Sequence, residues 1–451
     1  MTETATPARP AGAMDVLRSL GRGRVLITLL LGLGSGLPFM LTATTLGYWL
    51  REYGMTLSAI GFLSWVGMAY TMKVFWAPVL DRVSLPVLGR LGRRRGWMLL
   101  SQIVVGGALI GMGIVGPSAD LTLFVWLTVI TAFASATQDT AVDAWRIESA
   151  ENDDDLGLLT SAFTLGARTA MTLSGSLILF LAAGVGWGGA YIAFGAAMAV
   201  AIGATLFAKE PIATVVAAER ERPLWTPRGF FDAVVGPFVA FLKEHGSLAI
   251  LMLAAISLYR LGDFMIGPMI NPFYVDLGLT KTTVGAVRLV FGTSGGFVGI
   301  ALAGLCAIRF GLVRTLVVGA ILGPMSNLGF TALAIWGADP TLFATVMFID
   351  DFSGGFAGTA LVAYMSSLTS LGYTATQYAL LSSFYAFLGK ALKGFSGQIV
   401  EGVAAGSTLM HGYAVFYAGT AAIALPVVIL CIVVARLTRR RNEELVASGS
   451  A

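Results

Sequence analysis

Long apolar blocks separated by short polar segments dominate the pattern of this 451-residue chain. A helix needs ~20 consecutive apolar residues to cross the hydrocarbon core of a bilayer. Blocks near that length predict an all-α membrane protein with twelve membrane-spanning helices. The predicted spans are residues 24–46, 59–80, 97–116, 121–146, 158–184, 189–208, 246–275, 283–308, 314–336, 341–369, 375–401 and 412–436.

The composition also indicates that much of the surface of this chain faces lipid. Its residues are 56% hydrophobic and 12% charged, and the mean hydropathy is +0.81. A soluble domain has about 25% charged residues. Cys306 and Cys431 lie inside apolar blocks without metal-ligand spacing, so neither a disulfide framework nor a metal site is expected. The net charge of +4 is explained by arginines in loops, and nucleic acid is not an expected partner.

Positive charge is distributed unevenly between the two sides of the twelve-span arrangement. Cytoplasmic loops of membrane proteins are enriched in lysine and arginine. Four arginines lie before or at the start of the first span, and five lie around the connection between the second and third spans. Further basic residues fill the central loop and follow the last span. The opposite side carries little more than Arg51 and Lys281. Both termini are therefore predicted to be cytoplasmic.

One long polar segment, rich in Glu, Arg and Pro, separates two sets of six spans. In addition, "LLTSAFTLGARTAMTLSG" in the fifth span aligns with "ALLSSFYAFLGKALKGFSG" in the eleventh, so that Arg168 falls at the depth of Lys390. Two related halves are therefore predicted. The predicted organisation is a cytoplasmic tail at 1–23, a six-helix bundle at 24–208, a cytoplasmic linker at 209–245, a second six-helix bundle at 246–436 and a cytoplasmic tail at 437–451.

Charged residues avoid every third span. Spans three, six, nine and twelve have no Asp, Glu, Lys or Arg in their apolar interiors, whereas each of the spans two, four, five, seven, eight, ten and eleven has at least one. A charge that faces lipid costs a few kcal/mol or more, so charged helices are expected to line an interior or a wet cavity. This arrangement is typical of the major facilitator fold, in which two pseudo-symmetric six-helix halves enclose a central cavity.

The segment "ATQDTAVDAWRIE", residues 136–148, places charges at the end of the fourth span. Asp139 lies ~27 Å along that helix, in the cytoplasmic third of the cavity. A carboxyl group in a poorly hydrated cavity can exchange protons near neutral pH. We therefore predict that Asp139 couples transport to protons and that Gln138 contacts substrate. Asp143 and Arg146 share its helix face and form either a gate or simply a neutral pair at the membrane boundary.

Further charged residues are predicted near the membrane midplane. Arg260 and Asp263 in "YRLGDF" are spaced for an intrahelical ion pair, which would close a gate or contact substrate. Asp350 and Asp351 point about 100° apart on one helix, so at most one is expected to face the cavity centre. The predicted proton-coupling residues are Asp139, Asp263 and Asp350. The deep cations suit a substrate with carboxylate or phosphate groups, and the predicted substrate-binding cations are Arg168, Arg260, Lys390 and Lys393.

Some candidates have a plainer alternative. Lys73 is predicted to bind substrate, although a lysine near a helix end also snorkels to the interface. Tyr259 is predicted to stack on a sugar ring, although such aromatic residues more often belong to the core or the interfacial belt. Asp81 is predicted to latch the cytoplasmic gate. The acidic run at 148–155 is interpreted as a solvated loop and helix start.

Several motifs together resemble one transporter family. They are "SGLPFMLTATTLGYWL", "IGFLSWVGMAYTMKVFWAPVLDRV", "GRRRGW", "SATQDTAVDAWRIE", "LGARTAMTLSG" and "TATQYALLSS". The chain resembles the AmpG-type muropeptide permeases, in the peptide and acetyl-CoA transporter branch of the major facilitator superfamily, over essentially its whole membrane region. The positions carried over are Ala136, Gln138 and Asp139, Gly32 and Gly36 for helix packing or hinges, and Gly262 with Asp263.

The resemblance implies import of anhydromuropeptides (GlcNAc-anhydroMurNAc peptides) across the bacterial inner membrane for cell-wall recycling and β-lactamase induction. Transport would be driven by the proton gradient, with no cofactor. The expected partners are an amphiphilic anionic small molecule, protons and the lipid bilayer, and a monomer is expected. Asp350 and Asp351 stand where the family suggests a glutamate-containing stretch, so a siderophore or another peptide conjugate is the alternative cargo.

Other functional classes fit the sequence less well. His245 and His411 lie in loops on opposite sides of the predicted membrane, and no Ser/His cluster, metal-ligand cluster or GxxxxGK loop is present, so the protein is not expected to be an enzyme. A channel would not need two halves with basic residues at matched depth. A non-transporting sensor or assembly protein stays open, and proton-dependent uptake would separate it from a carrier.

Overall fold

The computed structural model of the chain describes residues 21, 23–211, 226, 239, 242–243, 246–368, 381 and 385–447. These residues form helices, turns and irregular segments, and no β-strand is found among them. The predicted all-α class is therefore confirmed. Most of the predicted N-terminal tail and most of the predicted linker at 209–245 lie outside the described residues. Residues 437–447 of the predicted C-terminal tail are helical.

The first nine α-helices run from the N-terminal region to residue 207. They are α1 (Gly23–Leu41), α2 (Thr44–Glu52), α3 (Leu57–Leu63), α4 (Ala69–Met72), α5 (Ala77–Arg82), α6 (Arg93–Ala119), α7 (Leu121–Ser149), α8 (Asp153–Thr172) and α9 (Ile178–Phe207).

Eight further α-helices follow the central segment. They are α10 (Ser247–Leu258), α11 (Leu261–Asp276), α12 (Lys281–Val287), α13 (Thr293–Phe310), α14 (Leu312–Trp336), α15 (Pro340–Ser367), α16 (Ser396–Ala404) and α17 (Leu409–Ala447). Residues 385–392 are also helical.

Nine helical segments of the described chain are long and apolar enough to cross a membrane. One of them, Asp155–Phe207, has 53 residues and a length of about 80 Å, which is enough for two crossings. Gly186 has φ +76° inside it, a conformation that glycine adopts easily, and it separates the predicted fifth and sixth spans. Ten of the twelve predicted spans are thus accounted for. The second predicted span overlaps the shorter apolar segment Leu57–Met72, and part of the eleventh lies outside the described residues.

Departures from α-helical geometry recur in the charged spans. Within the described parts of the predicted spans, every 3₁₀ or π segment lies in the second, fifth, eighth or eleventh span. Such segments shift the backbone hydrogen-bond ladder and often accompany functional sites or hinges. The 3₁₀ segments are Ser64–Met68, Lys73–Phe75 and Lys393–Phe395, and the π segments are Leu173–Leu177 and Arg288–Gly292.

The contacts divide the chain into two compact units. The first unit combines Met1–Leu46 with Met72–Glu219, and the second combines Gly47–Thr71 with Arg220–Ala451. Residues 47–71 therefore pack with the C-terminal helices, although residues of the first unit flank them in sequence. The domain boundaries predicted from the sequence stay a prediction.

Glycines bring α1 and α8 into backbone contact in the first unit. A Cβ atom added at Gly32 or Gly36 would overlap the carbonyl oxygen of Phe163 or Ala167, and one added at Gly166 would overlap that of Leu29. Small residues allow this close approach of membrane helices. Gly32 and Gly36 thus occupy the packing positions expected of them. In the second unit a Cβ at Gly262 would lie 3.2 Å from the carbonyl oxygen of Thr420, which is also a tight fit.

Candidate functional site

The first unit buries a group of polar side chains where α7 meets α1. Gln138 is fully buried, and neither its amide nitrogen nor its amide oxygen has a hydrogen-bond partner among the described residues. The same holds for Asp139 Oδ1. The Ser35 hydroxyl faces Asp139 from α1. Buried polar groups are nearly always hydrogen-bonded. We call Ser35, Gln138 and Asp139 the polar cluster, and its free hydrogen-bonding capacity makes it the candidate site of this unit.

A glycine sets the position of the amide in the polar cluster. A Cβ at Gly34 would lie 3.3 Å from Gln138 Nε2 and would overlap the side chain of Ala201. Only a glycine therefore lets α1 approach α7 and α9 this closely. The amide of Gln138 lies directly against the backbone of α1 as a result.

Three charged residues lie one to two turns beyond the polar cluster. Asp143 accepts from Arg146 at 3.2 Å and lies 3.9 Å from Lys73 Nζ. The ion pair expected between Asp143 and Arg146 is confirmed, while their gating role stays a prediction. Lys73, a predicted substrate ligand, is placed beside a carboxylate. The guanidinium of Arg146 also lies 4.9 Å from the ring centroid of Phe163, a cation–π distance.

Glu148, in the acidic run at 148–155, forms an ion pair that the sequence did not indicate. Arg94, whose side chain is 6% exposed, pairs with Glu148 at 2.5 Å. Arg94 Nη1 also donates to the carbonyl oxygen of Leu80 at 3.4 Å. Glu148 is exposed, as interpreted, but it lies in the last turn of α7 and not in a loop. Its partner precedes it by 54 residues, a separation at which sequence spacing carries no signal.

The second unit contains its own group of charged and polar side chains, at the start of α11 and on α14 and α15. Arg260 Nε donates to Asp263 Oδ2 at 2.7 Å, so the ion pair predicted from the i, i+3 spacing is confirmed. Asp350 accepts from Ser326 Oγ at 2.9 Å. These residues lie on helices with apolar surroundings, where charges are costly unless they have a function or a partner. The proton-coupling roles predicted for Asp263 and Asp350 stay predictions.

The structure places the remaining predicted residues in varied surroundings. Tyr259 is buried in the hydrophobic core of the second unit, and its hydroxyl donates to the carbonyl oxygen of Leu316 at 2.8 Å. Lys390 Nζ donates to Thr71 Oγ1 at 2.8 Å. Lys393 Nζ lies 3.1 Å from the position that a Cβ at Gly67 would occupy. Arg168 is exposed on α8, and the side chain of Asp81 lies outside the described residues.

Sequence reasoning missed a set of polar contacts between residues 47–58 and the C-terminal helices of the second unit. Arg51 Nε donates to both carboxylate oxygens of Asp276, at 2.7 and 2.9 Å, and the Tyr413 hydroxyl donates to the same carboxylate at 2.7 Å. Glu401 accepts from the backbone N–H of Leu57 at 2.6 Å and also bonds Ser58 Oγ. All of these partners are more than 130 residues apart in sequence.

Neutralising Asp276 is expected to destabilise the second unit by about 2 kcal/mol. Asp276→Asn would leave the guanidinium of Arg51, whose side chain is only 17% exposed, without its counter-charge, and breaking a largely buried pair is costly. The measurement is thermal or denaturant unfolding of the purified protein in detergent. Glu52→Gln is the matched control, since its pair with Lys281 at 2.6 Å is more exposed and should contribute less than about 1 kcal/mol. Equal effects of both changes would contradict the assignment.

The sequence profile of the Major Facilitator Superfamily matches residues 25–394. The chain is 34% identical over 420 residues to the anhydromuropeptide permease of Escherichia coli K12, covering 92% of this chain and 81% of that protein. It is 30% identical over 406 residues to the putative transporter AmpG 4 of Rickettsia conorii, covering 88% and 93% of the two chains.

Solved structures show the same fold at low sequence identity. The nucleoside transporter NupG superposes with a TM-score of 0.66 at 14% identity, covering 92% of this chain and 98% of NupG. The D-xylose–proton symporter superposes with a TM-score of 0.63 at 11% identity, covering 89% and 96%. The major facilitator fold predicted from the charge pattern is thus confirmed. The chain is a multi-pass membrane transporter rather than an enzyme, and it belongs to the Major Facilitator Superfamily and, within it, to the AmpG-type permeases.

Proposed function

We propose that this protein imports anhydromuropeptides into the bacterial cytoplasm for cell-wall recycling and that the proton gradient drives this import by alternating access. The observation that carries the proposal is the 34% identity over 92% of the chain to a permease named for this substrate. The substrate is a sugar–peptide conjugate with carboxylate groups, and it needs both neutral polar and cationic partners. Both kinds of group are present inside the helices.

The polar cluster supports a role for the first unit in this transport. Gln138 can donate and accept hydrogen bonds at once, as recognition of sugar hydroxyl or amide groups requires. Asp139 follows it directly, with one buried carboxylate oxygen that makes no hydrogen bond to the described residues. We assign substrate contact to Gln138 and proton exchange to Asp139.

Membrane orientation follows from the distribution of arginine and lysine. The basic connections and both terminal segments fall on one side of the twelve-span arrangement, and such loops face the cytoplasm. We therefore place both termini in the cytoplasm of a bacterial inner-membrane protein that acts as a monomer. Substrate uptake from the periplasm and the flow of protons down their gradient then have the same direction, so the proton gradient can drive the uptake.

Gradient-driven uptake tests this function directly. The full chain is purified, reconstituted in liposomes, and offered radiolabelled anhydromuropeptide with and without an imposed inward proton gradient. We expect accumulation that requires the gradient and is abolished by a protonophore. Protease accessibility of the terminal tails gives the fraction of molecules in each orientation.

A protein that is monodisperse and folded but takes up no muropeptide in these liposomes would overturn the proposed cargo. The same liposomes are then offered siderophores, which are the alternative cargo of related transporters. Uptake that is unaffected by the proton gradient would instead support the proposed cargo and contradict the proposed proton coupling.

A further inference from the structure

The eighth span contains an arginine that the proposed function has not used. Arg288 follows α12 and begins the π segment Arg288–Gly292. It lies seven residues, or about 10 Å, beyond the start of α12 at Lys281, well inside a helix that is apolar enough to span the membrane. A charged residue at such depth is expensive and usually serves transport.

The hydrogen-bond partner of Arg288 is neutral. Its Nη1 donates to Oδ1 of Asn271 on α11 at 3.1 Å, and Asn271 is almost fully buried. No ion pair of the described part of the chain involves Arg288. Arg260, the other arginine of this membrane region, is by contrast paired with Asp263 at 2.7 Å. Arg288 therefore keeps guanidinium hydrogen-bonding capacity that a carboxylate could use.

A carboxylate lies near Arg288 but forms no ion pair with its guanidinium. Asp351 on α15 is the acidic residue on which the charge of Arg288 acts. Its Oδ2 lies 2.5 Å from the position that a Cβ at Gly292 would occupy, so glycine at the end of the π segment makes room for it. The charge of Asp351 thus reduces the cost of burying the half-buried guanidinium. The N–H groups of Arg288 other than the one bonded to Asn271 can still donate to an anionic ligand.

We propose that Arg288, positioned by Asn271, binds a carboxylate group of the transported molecule. A guanidinium can form two parallel hydrogen bonds to a carboxylate, and this geometry distinguishes a carboxylate from a carboxamide. Arg288 is then a specificity-determining residue that favours substrates with a free peptide carboxylate. This inference rests on the proposed function, because it takes the peptide stem of a muropeptide as its ligand.

The test compares two substrates in the reconstituted full chain. One is the anhydromuropeptide with a free C-terminal carboxylate, and the other is the same compound with that group converted to the carboxamide. Arg288→Gln should raise KM for the free acid by about tenfold or more, the size of a lost hydrogen bond to a charged group. Its KM for the carboxamide should change little. Arg288→Lys keeps the charge without the planar fork and should give an intermediate preference.

Arg309→Gln is the control, since Arg309 is an exposed residue near the end of the same span on α13. Its kinetics should match the wild type for both substrates. An Arg288→Gln protein that is folded and retains the wild-type preference for the free acid overturns the inference while the proposed function stands. Equal loss of transport for both substrates in the Gln and Lys variants also overturns it, because that result indicates a structural role. If the wild type transports neither substrate, the proposed function fails and this inference fails with it.

Discussion

Asp139→Asn is expected to abolish accumulation of substrate driven by the proton gradient, while exchange of substrate between the two sides of the membrane continues. Asparagine keeps the size of the side chain and its hydrogen-bonding ability but cannot take up and release a proton. Asp139 lies in the polar cluster beside Ser35 and Gln138, and its Oδ1 makes no hydrogen bond to the described residues. Few local bonds are therefore lost in the variant, and the protein should fold normally.

Two assays on the same liposomes separate coupling from binding. Accumulation is measured with an imposed proton gradient, and counterflow is measured without one. We expect accumulation by Asp139→Asn to fall to the level of protein-free liposomes, with counterflow retained. Asp120→Asn is the matched control, because Asp120 caps the exposed start of the same helix by accepting from the Leu123 N–H, and asparagine caps helices equally well.

If Asp139→Asn accumulates substrate as the wild type does, Asp139 is not the proton-coupling residue. The acidic residues of the second unit, Asp263 and Asp350, would then be the next to substitute. Loss of both accumulation and counterflow, with unchanged thermal stability, would instead give Asp139 a role in substrate binding.

The sequence predicted well what depends on neighbours along the chain. Apolar blocks gave ten spans close to their observed bounds, and a glycine at 186 separates two of them within one long helical stretch. Spacing of three residues predicted the ion pairs of Arg260 with Asp263 and of Arg146 with Asp143. Helix geometry fixes such distances locally, so no knowledge of the tertiary structure is needed.

Contacts between distant segments could not be predicted in this way. The ion pair of Glu148 has no signal in the sequence, because its partner, the largely buried Arg94, precedes it by 54 residues and belongs to a different helix. Arg51 and Asp276 each lie near the end of a span, where charges are common and usually face water. The role of Arg288 is equally hidden from the sequence, since neither its π segment nor its neutral partner Asn271 has a signature in one sequence.

Glycines show most clearly that contacts between distant segments cannot be predicted from the sequence. The chain has 56 of them, and composition alone does not tell a glycine in a tight backbone contact from one that faces open space. On α16, Gly397 and Gly402 are only five residues apart. A Cβ at Gly397 would overlap the backbone of Leu57 and Ser58, whereas a Cβ at Gly402 would have no atom within 4 Å.

Gly397→Ala is therefore expected to destabilise the protein by about 3 kcal/mol, in the upper part of the range for overpacking, because backbone atoms cannot move aside as a side chain would. Moving α16 away would also stretch the bonds from Glu401 to the Leu57 N–H and Ser58 Oγ, which satisfy the start of α3. Gly402→Ala on the same helix should be neutral or slightly stabilising, since alanine favours helix more than glycine does. Thermal unfolding of both variants in the same detergent measures the difference. If the two melt together, α16 does not pack against α3 through Gly397, and the placement of residues 47–71 in the second unit is wrong at that contact.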